Sequence, residues 1–237
     1  MTTTSVRASR PAVSVDELKR AWCAVQAGHF RRTNAIRPPR DSALCDGGPV
    51  PVWVPAPGER VVPLLGATGS TGASTLALAL ALAAEQHARV VECGPAIASG
   101  LASASTAELG LHATGWRQGN RDHVLLERTS ELLASVDDVP TPTEAVHPNQ
   151  LTILDVGWET SGVVTGSSWL RTAVNTAPAL VMITTATVAG FRRLDAALEL
   201  LETTRRTGTD GLGVAVMGPP RKKWPRGLEQ AGGPTTH

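Results

Sequence analysis

Lysine is almost missing from this chain: 237 residues contain three, Lys19, Lys222 and Lys223, and none lies between positions 20 and 221. Any chemistry that needs an ammonium group in the middle of the chain is excluded. Tyrosine is absent and phenylalanine occurs twice, so Ala, Leu and Val must fill the core that a 42% hydrophobic composition allows. The three cysteines, Cys23, Cys45 and Cys93, are odd in number and lack metal-ligand spacing, which excludes a disulfide framework and a zinc site. The six histidines are equally scattered. A formal net charge of +1 gives no overall field of the kind that would demand nucleic acid or acidic lipid. The longest apolar run, Leu76 to Ala84, is far shorter than the ~20 residues needed to cross a bilayer. With no apolar signal core after Met1-Thr2-Thr3-Thr4, a cytoplasmic protein without a membrane span is expected.

What is present falls into three parts, 1–59, 60–218 and 219–237. The first begins with a Thr/Ser/Arg/Pro-rich stretch that reads as disordered. Ser14-Val15-Asp16-Glu17 then has the form of a capping box, and Val15, Leu18, Trp22 and Val25 follow at helical spacing before Gly28. This predicts a short amphipathic helix. The Pro/Gly-rich stretch to residue 59 reads as a linker or strap.

From residue 60, apolar runs alternate with helical segments. Strands are expected at 61–66, 89–93, 123–128, 151–156, 179–184 and 212–217, most of them without polar alternation, as strands buried on both faces should be. Helices are expected at 74–86 and 188–206. In the first, Leu76, Leu78, Leu80 and Leu82 alternate with Ala, a strand-like period that length and Ala/Leu helix propensity override. In the second, Phe191, Leu194, Leu198 and Leu201 make one face. This rhythm predicts a three-layer α/β fold with a mostly parallel sheet.

Two motifs carry chemistry. In Gly66-Ala67-Thr68-Gly69-Ser70-Thr71-Gly72-Ala73-Ser74-Thr75, an apolar strand gives way to a glycine-rich turn and then a helix, an order in which backbone N–H groups and a helix dipole can hold an anion. The second is Leu151-Thr152-Ile153-Leu154-Asp155-Val156-Gly157, an apolar strand ending in Asp, suited to hold Mg²⁺ through water or to position an attacking water. The same residues also fit a sharp turn and a strand-end cap.

With both motifs placed, residues 60–218 resemble the ParA/MinD-type partition ATPases, the P-loop group whose deviant Walker A motif runs Lys-Gly-Gly-x-Gly-Lys-Ser/Thr-Thr. Thr68 to Thr75 aligns with it, keeping Gly69, Gly72, Ser74 and Thr75. Both lysines are lost, one to Thr68 and one to Ala73. The family's strand-end Asp corresponds to Asp155, its second strand to Val90-Val91-Glu92-Cys93-Gly94, and its segment before an amphipathic helix to Thr184-Thr185-Ala186-Thr187. Where the family often reads adenine with Asn, this chain has Met217-Gly218-Pro219-Pro220.

The resemblance implies a P-loop NTPase-like domain binding ATP and Mg²⁺. Residues Gly69, Ser70, Thr71, Gly72, Ala73, Ser74 and Thr75 would line the phosphates, Ser74 and Asp155 would hold the metal, and Asp155 would be the catalytic carboxylate. A homodimer and a partition or transfer partner are implied as well. A missing lysine removes a charge-assisted contact of ~1.5–3 kcal/mol from the phosphates and weighs more on hydrolysis, where charge develops in the transition state. Arg117, Arg121 or Arg128 would compensate only by folding over the site. The expectation is a weakly or non-hydrolysing nucleotide-binding switch. The alternative is a pseudo-NTPase scaffold that binds no nucleotide. Arg221, Lys222, Lys223 and Arg226, interrupted by Trp224, form the one dense basic patch, suited to phosphate backbone or an acidic partner and equally to a solvated tail.

Overall fold

The computed structural model describes residues 52–98, 100–205, 211–224 and 227–228. The chain divides into two units, Met1–Gly48 and Pro49–His237, and every described residue belongs to the second. The expected helix at 14–28 and the strap up to residue 51 lie outside the described residues.

Eight strands form one sheet: β1 (Arg60–Gly66), β2 (Ala88–Glu92), β3 (Ala107–Leu111), β4 (Trp116–Arg121), β5 (Val124–Thr129), β6 (Leu151–Asp155), β7 (Leu180–Thr185) and β8 (Leu212–Met217). Their order is β3-β4-β5-β2-β6-β1-β7-β8. From β5 to β8 all neighbours are parallel, and β3-β4-β5 is an antiparallel meander. β2 is buried along its whole length, as its Ala-Arg-Val-Val-Glu sequence requires of a strand covered on both faces.

Helix α1 (Ala73–Ala83) covers one face together with the 3-10 turn Leu101–Ser103. Its Ala77 and Ala81 pack with Leu64, Val90, Ile153 and Ile183. The small alanines let the helix lie close to the sheet while Leu80 stays partly in solvent. The other face carries α2 (Thr160–Thr165), α3 (Trp169–Thr176) and α4 (Val188–Thr204). There Phe191, Leu194, Leu198 and Leu201 are buried as their spacing predicted, against Leu65, Leu154 and Met182. The three-layer, mostly parallel α/β reading holds. Strand β5 lies where a strand was expected at 123–128; β3, β4, α2 and α3 are additions that the sequence did not announce.

One buried polar network ties the entry of the domain to the sheet. The Arg89 guanidinium, fully buried, donates to Glu59 at 2.7 Å, Glu127 at 3.3 Å, the Thr143 carbonyl at 2.7 Å and the Thr152 hydroxyl at 2.8 Å. Thr152 in turn bonds Glu59. The end of the proline-rich stretch is therefore fastened to β2 and β6 at Glu59. No helix among the described residues is long and apolar enough to cross a membrane.

Candidate functional site

Because β1, β2, β6, β7 and β8 run parallel, their carboxyl ends share one edge of the sheet, where open α/β sheets place their ligands. The glycine-rich turn leaves the end of β1 there. Gly66 admits a tight return: a Cβ on it would come within 2.7 Å of the Thr71 hydroxyl and 2.8 Å of the Thr68 carbonyl. Gly69 and Ser70 are at the exposed apex, and Ser70 has φ 60°, an unusual value for a residue with a side chain. Gly72 is left-handed, with φ 87° and ψ 19°, and is the N-cap of α1. A side chain there would be strained by that φ and would also meet the Met217 methyl at 3.3 Å, so the end of β8 presses on the loop.

This geometry leaves a set of donors without partners. Among the described residues, the main-chain N–H groups of Gly69 through Thr75 find no acceptor in the chain. The N-terminus of α1 has no side-chain cap and no acidic residue in its first turn. Its partial positive charge is thus uncompensated, over an eleven-residue helix. The buried Thr71 hydroxyl also lacks a partner. Ala73, standing where a lysine would be, turns partly into the apolar cluster under α1.

Asp155 ends β6 beside this loop, paired in register with Leu64 of β1 on one side and Glu92 of β2 on the other. Alternation along the strands puts Ile153 and Val90 in the α1-facing cluster, so Asp155 and Glu92 share that face. Both carboxylates are buried, Asp155 at 2% exposure and Glu92 at 4%. Burial pushes the Asp155 carboxyl up from 3.8 to about 6; the nearby Ser74 hydroxyl pulls the other way, and the neighbouring Glu92 adds to the rise. Glu92 accepts the Gly100 N–H at 3.1 Å, tying down the loop after β2.

Two contacts at this edge join segments far apart in the sequence. The loops after β2 and β6 cross at Gly94 and Gly157: a Cβ on Gly157, whose φ is 66°, would fall 2.6 Å from the Gly94 Cα. Beside the crossing, the Trp158 indole donates to the Cys93 carbonyl at 2.7 Å. The Cys93 thiol beneath is fully buried, and burial raises its pKa well above the usual range, so it is inert. Glycines just past two neighbouring strand ends were the one sequence signal for this crossing.

The sequence residues are therefore brought together in part. Asp155 stands beside Leu64 of the strand that feeds the loop and acts on Ser74 at the start of α1. Of the three arginines considered as substitutes for lysine, Arg128 shares register with Glu92 but turns its guanidinium to Glu108 at 2.7 Å. Arg121 donates to the Ala104 carbonyl at 3.2 Å, and Arg117 is exposed on β4. None is drawn over the loop.

The basic stretch near the C-terminus is an anchored turn. Arg221–Lys223 form a 3-10 turn, the Trp224 indole donates to the Pro219 carbonyl at 2.9 Å, and its ring meets Phe191 edge-on at 5.6 Å. Lys222 and Lys223 are exposed; Arg226 lies outside the described residues.

Comparison with known proteins adds little. No family model and no curated protein matches the chain. Among solved structures, apo McdA from Cyanthece is similar at a TM-score of 0.44 and 12% identity, over 73% of this chain and 80% of that one. A likeness that distant carries no argument about the function of this chain.

Proposed function

We propose that this chain is a degenerate ParA/MinD-like nucleotide-binding protein, hydrolysing weakly or not at all, in which ATP with Mg²⁺ acts as a switch or assembly signal in plasmid or chromosome partition or conjugative transfer. The observation that carries the reading is the unbroken run of free N–H groups from Gly69 to Thr75 at an uncapped helix start. Such a run suits phosphate oxygens in place of a protein acceptor.

Ser74 and Asp155 suit Mg²⁺, since a hydroxyl and a carboxylate near enough to influence each other offer hard oxygen donors. Bound there, the ion would neutralise phosphate charge. Asp155 is also the candidate for holding an attacking water. With Ala73 in place of lysine, the loop positions phosphate by backbone dipoles alone. That favours binding over turnover. A nucleotide-dependent homodimer and a partner protein would follow from such a switch, with Lys222 and Lys223 available to a phosphate backbone or an acidic surface.

The test is thermal or chemical unfolding with and without Mg-ATP. A ligand present at 100 times its Kd should add ~2.7 kcal/mol. A stability unchanged at millimolar Mg-ATP would discard the reading.

One observation favours a second reading, a scaffold that binds no nucleotide. Asp155 is 2% exposed, and burial raises its carboxyl to about 6, which opposes the ionised form that a metal ion would need. In that case Asp155 serves only to anchor Ser74.

A further inference from the structure

A cavity opens at the edge of the sheet opposite the glycine-rich loop. Its volume, about 660 Å³, lies inside the ~300–1,000 Å³ typical of small-molecule sites. Trp53, Ala173 and Ala177 make an apolar wall on the α3 face. The Trp53 ring is held edge-on against the buried Trp169, centroids 5.3 Å apart, so this wall is fixed by packing.

Val61 and Val62 both line the space, although alternation sends their side chains to opposite faces, Val61 into the cluster under α3 and α4 and Val62 into the one under α1. The cavity therefore includes the edge of β1 that lies between those faces. One edge of β1 is closed by β6 from Arg60 onward. The other is paired with β7 only from Leu64, opposite Val181. Pro178 and Ala179, just before β7, line the cavity across that gap. The sequence explains why the ladder stops: Pro63 has no N–H with which to carry the pairing back toward Val61.

The main chain alternates as the side chains do. The Arg60 N–H donates to Gln150 and the Leu64 carbonyl accepts from Val156, so the even-numbered residues of β1 turn to β6. The Ala67 N–H donates to Ile183, so the odd-numbered ones turn to the β7 side. Val61 thus points its N–H and C=O into the gap, and neither has a partner among the described residues. Val61 is only 8% exposed, and buried main-chain groups are almost always paired. This donor and acceptor, side by side on one strand edge, set the chemistry of what fits.

Neighbouring polar groups are engaged elsewhere. One Glu59 oxygen takes Arg89 and the Thr152 hydroxyl, and the other takes the Ala56 N–H at 2.8 Å. Arg205 donates to the Val174 carbonyl at 2.7 Å and to the Ala177 carbonyl at 3.1 Å. The Thr176 hydroxyl is turned back to the Thr172 carbonyl at 2.8 Å.

We propose that this cavity binds an uncharged apolar amide built on one extended amino-acid unit, which pairs with Val61 as a neighbouring strand would. Two residues facing each other in an antiparallel pair exchange both N–H···O bonds, so one such unit satisfies both groups of Val61. An apolar ligand with no amide would bury that donor and acceptor unpaired, and a charged group would be desolvated against Trp53 and the alanines. The inference does not rest on the nucleotide reading.

Calorimetric titration of the 237-residue chain with N-acetyl-leucine N-methylamide, and with the same compound methylated on the leucine nitrogen, tests it. The parent amide should bind about tenfold more tightly, since the methylated form leaves the Val61 carbonyl unpaired. Val61→Pro removes the main-chain donor without breaking a ladder bond. It should weaken the parent amide about tenfold while the melting transition stays cooperative. Trp53→Ala, which takes down the apolar wall and leaves the main chain of β1 alone, should weaken both probes alike. The site is overturned by equal affinities in the unaltered chain, by full affinity in folded Val61→Pro, by binding unchanged in Trp53→Ala, or by no heat from either probe at millimolar concentration.

Discussion

At Asp155, burial and the neighbouring Glu92 both oppose ionisation, and only the Ser74 hydroxyl favours it, so the carboxyl titrates at about 6 in the folded chain against 3.8 when exposed. A group whose folded pKa is raised contributes its full stability below the unfolded pKa, near 4, and loses it as pH rises through the folded one. The difference corresponds to about 3 kcal/mol at most. Asp155→Asn removes the titration while keeping the shape. Unfolding both forms in urea at pH 4.5 and 7.5 should show the native chain losing ground to the variant at the higher pH, and a constant gap would mean that Asp155 is not desolvated. Ala73 makes the complementary point about charge. Lysine at this position would have to reach out of the apolar cluster under α1 that Ala73 partly enters, which long side chains do by snorkelling. If the loop holds phosphate, Ala73→Lys should tighten Mg-ATP binding by about ten- to hundredfold, measured by calorimetry. Unchanged affinity would show that the N–H groups from Gly69 to Thr75 do not face a phosphate.

Among the elements, the strands that the sequence announced are those with an apolar reason to be strands. Val61 to Leu65, Val90-Val91 and Ile153-Leu154 are runs that must be covered on both faces, and all lie in the centre of the sheet. β3 and β4 were not legible for the opposite reason: Ala107–Leu111 is largely exposed, and Trp-Arg-Gln-Gly-Asn-Arg has no apolar run, so the pairing with β5 makes these strands more than their side chains do. The short helices α2 and α3 were hidden by Ser, Thr and Gly, which read as loop. At the site, the turn and Asp155 were legible because their signals are local. Met217 against Gly72, and Gly94 against Gly157, join positions brought together only by folding. Arg89 is a further case, a charge inside an apolar run whose partners Glu59, Glu127 and Thr143 come from three other segments. Arg89→Met should cost about 3–5 kcal/mol by leaving two carboxylates buried without their cation. The midpoint of urea unfolding measures it, and a loss under 1 kcal/mol would place the network in solvent.

For the whole molecule, the order of the strands sets where stability is concentrated. β1, β6 and β2 lie in the interior of the sheet, with α1 packed on one face and α2 to α4 on the other. β3 is an edge. A register shift between Glu108 and Gly110 leaves Leu109 as an extra residue, and Leu109 and Leu111 are 57% and 64% exposed. Such a bulge blunts the edge against pairing with another chain and also leaves few contacts to hold it. The ion pair of Glu108 with Arg128 lowers the Glu108 pKa, chiefly through their hydrogen bond, but Glu108 is a surface partner and stabilises the hairpin little. Local opening should therefore run from this edge inward. In native-state hydrogen exchange, amides of β3 and the outer side of β4 should exchange at least about a hundredfold faster than those of β6, whose opening requires the whole sheet to come apart. Mg-ATP bound at the loop should slow β6 and the start of α1 and leave β3 unchanged, because the glycine-rich loop and Asp155 stand on the central strands and the hairpin does not touch them. Equal protection across the sheet would instead describe one cooperative unit, in which the hairpin is as firmly held as the strands that carry the site.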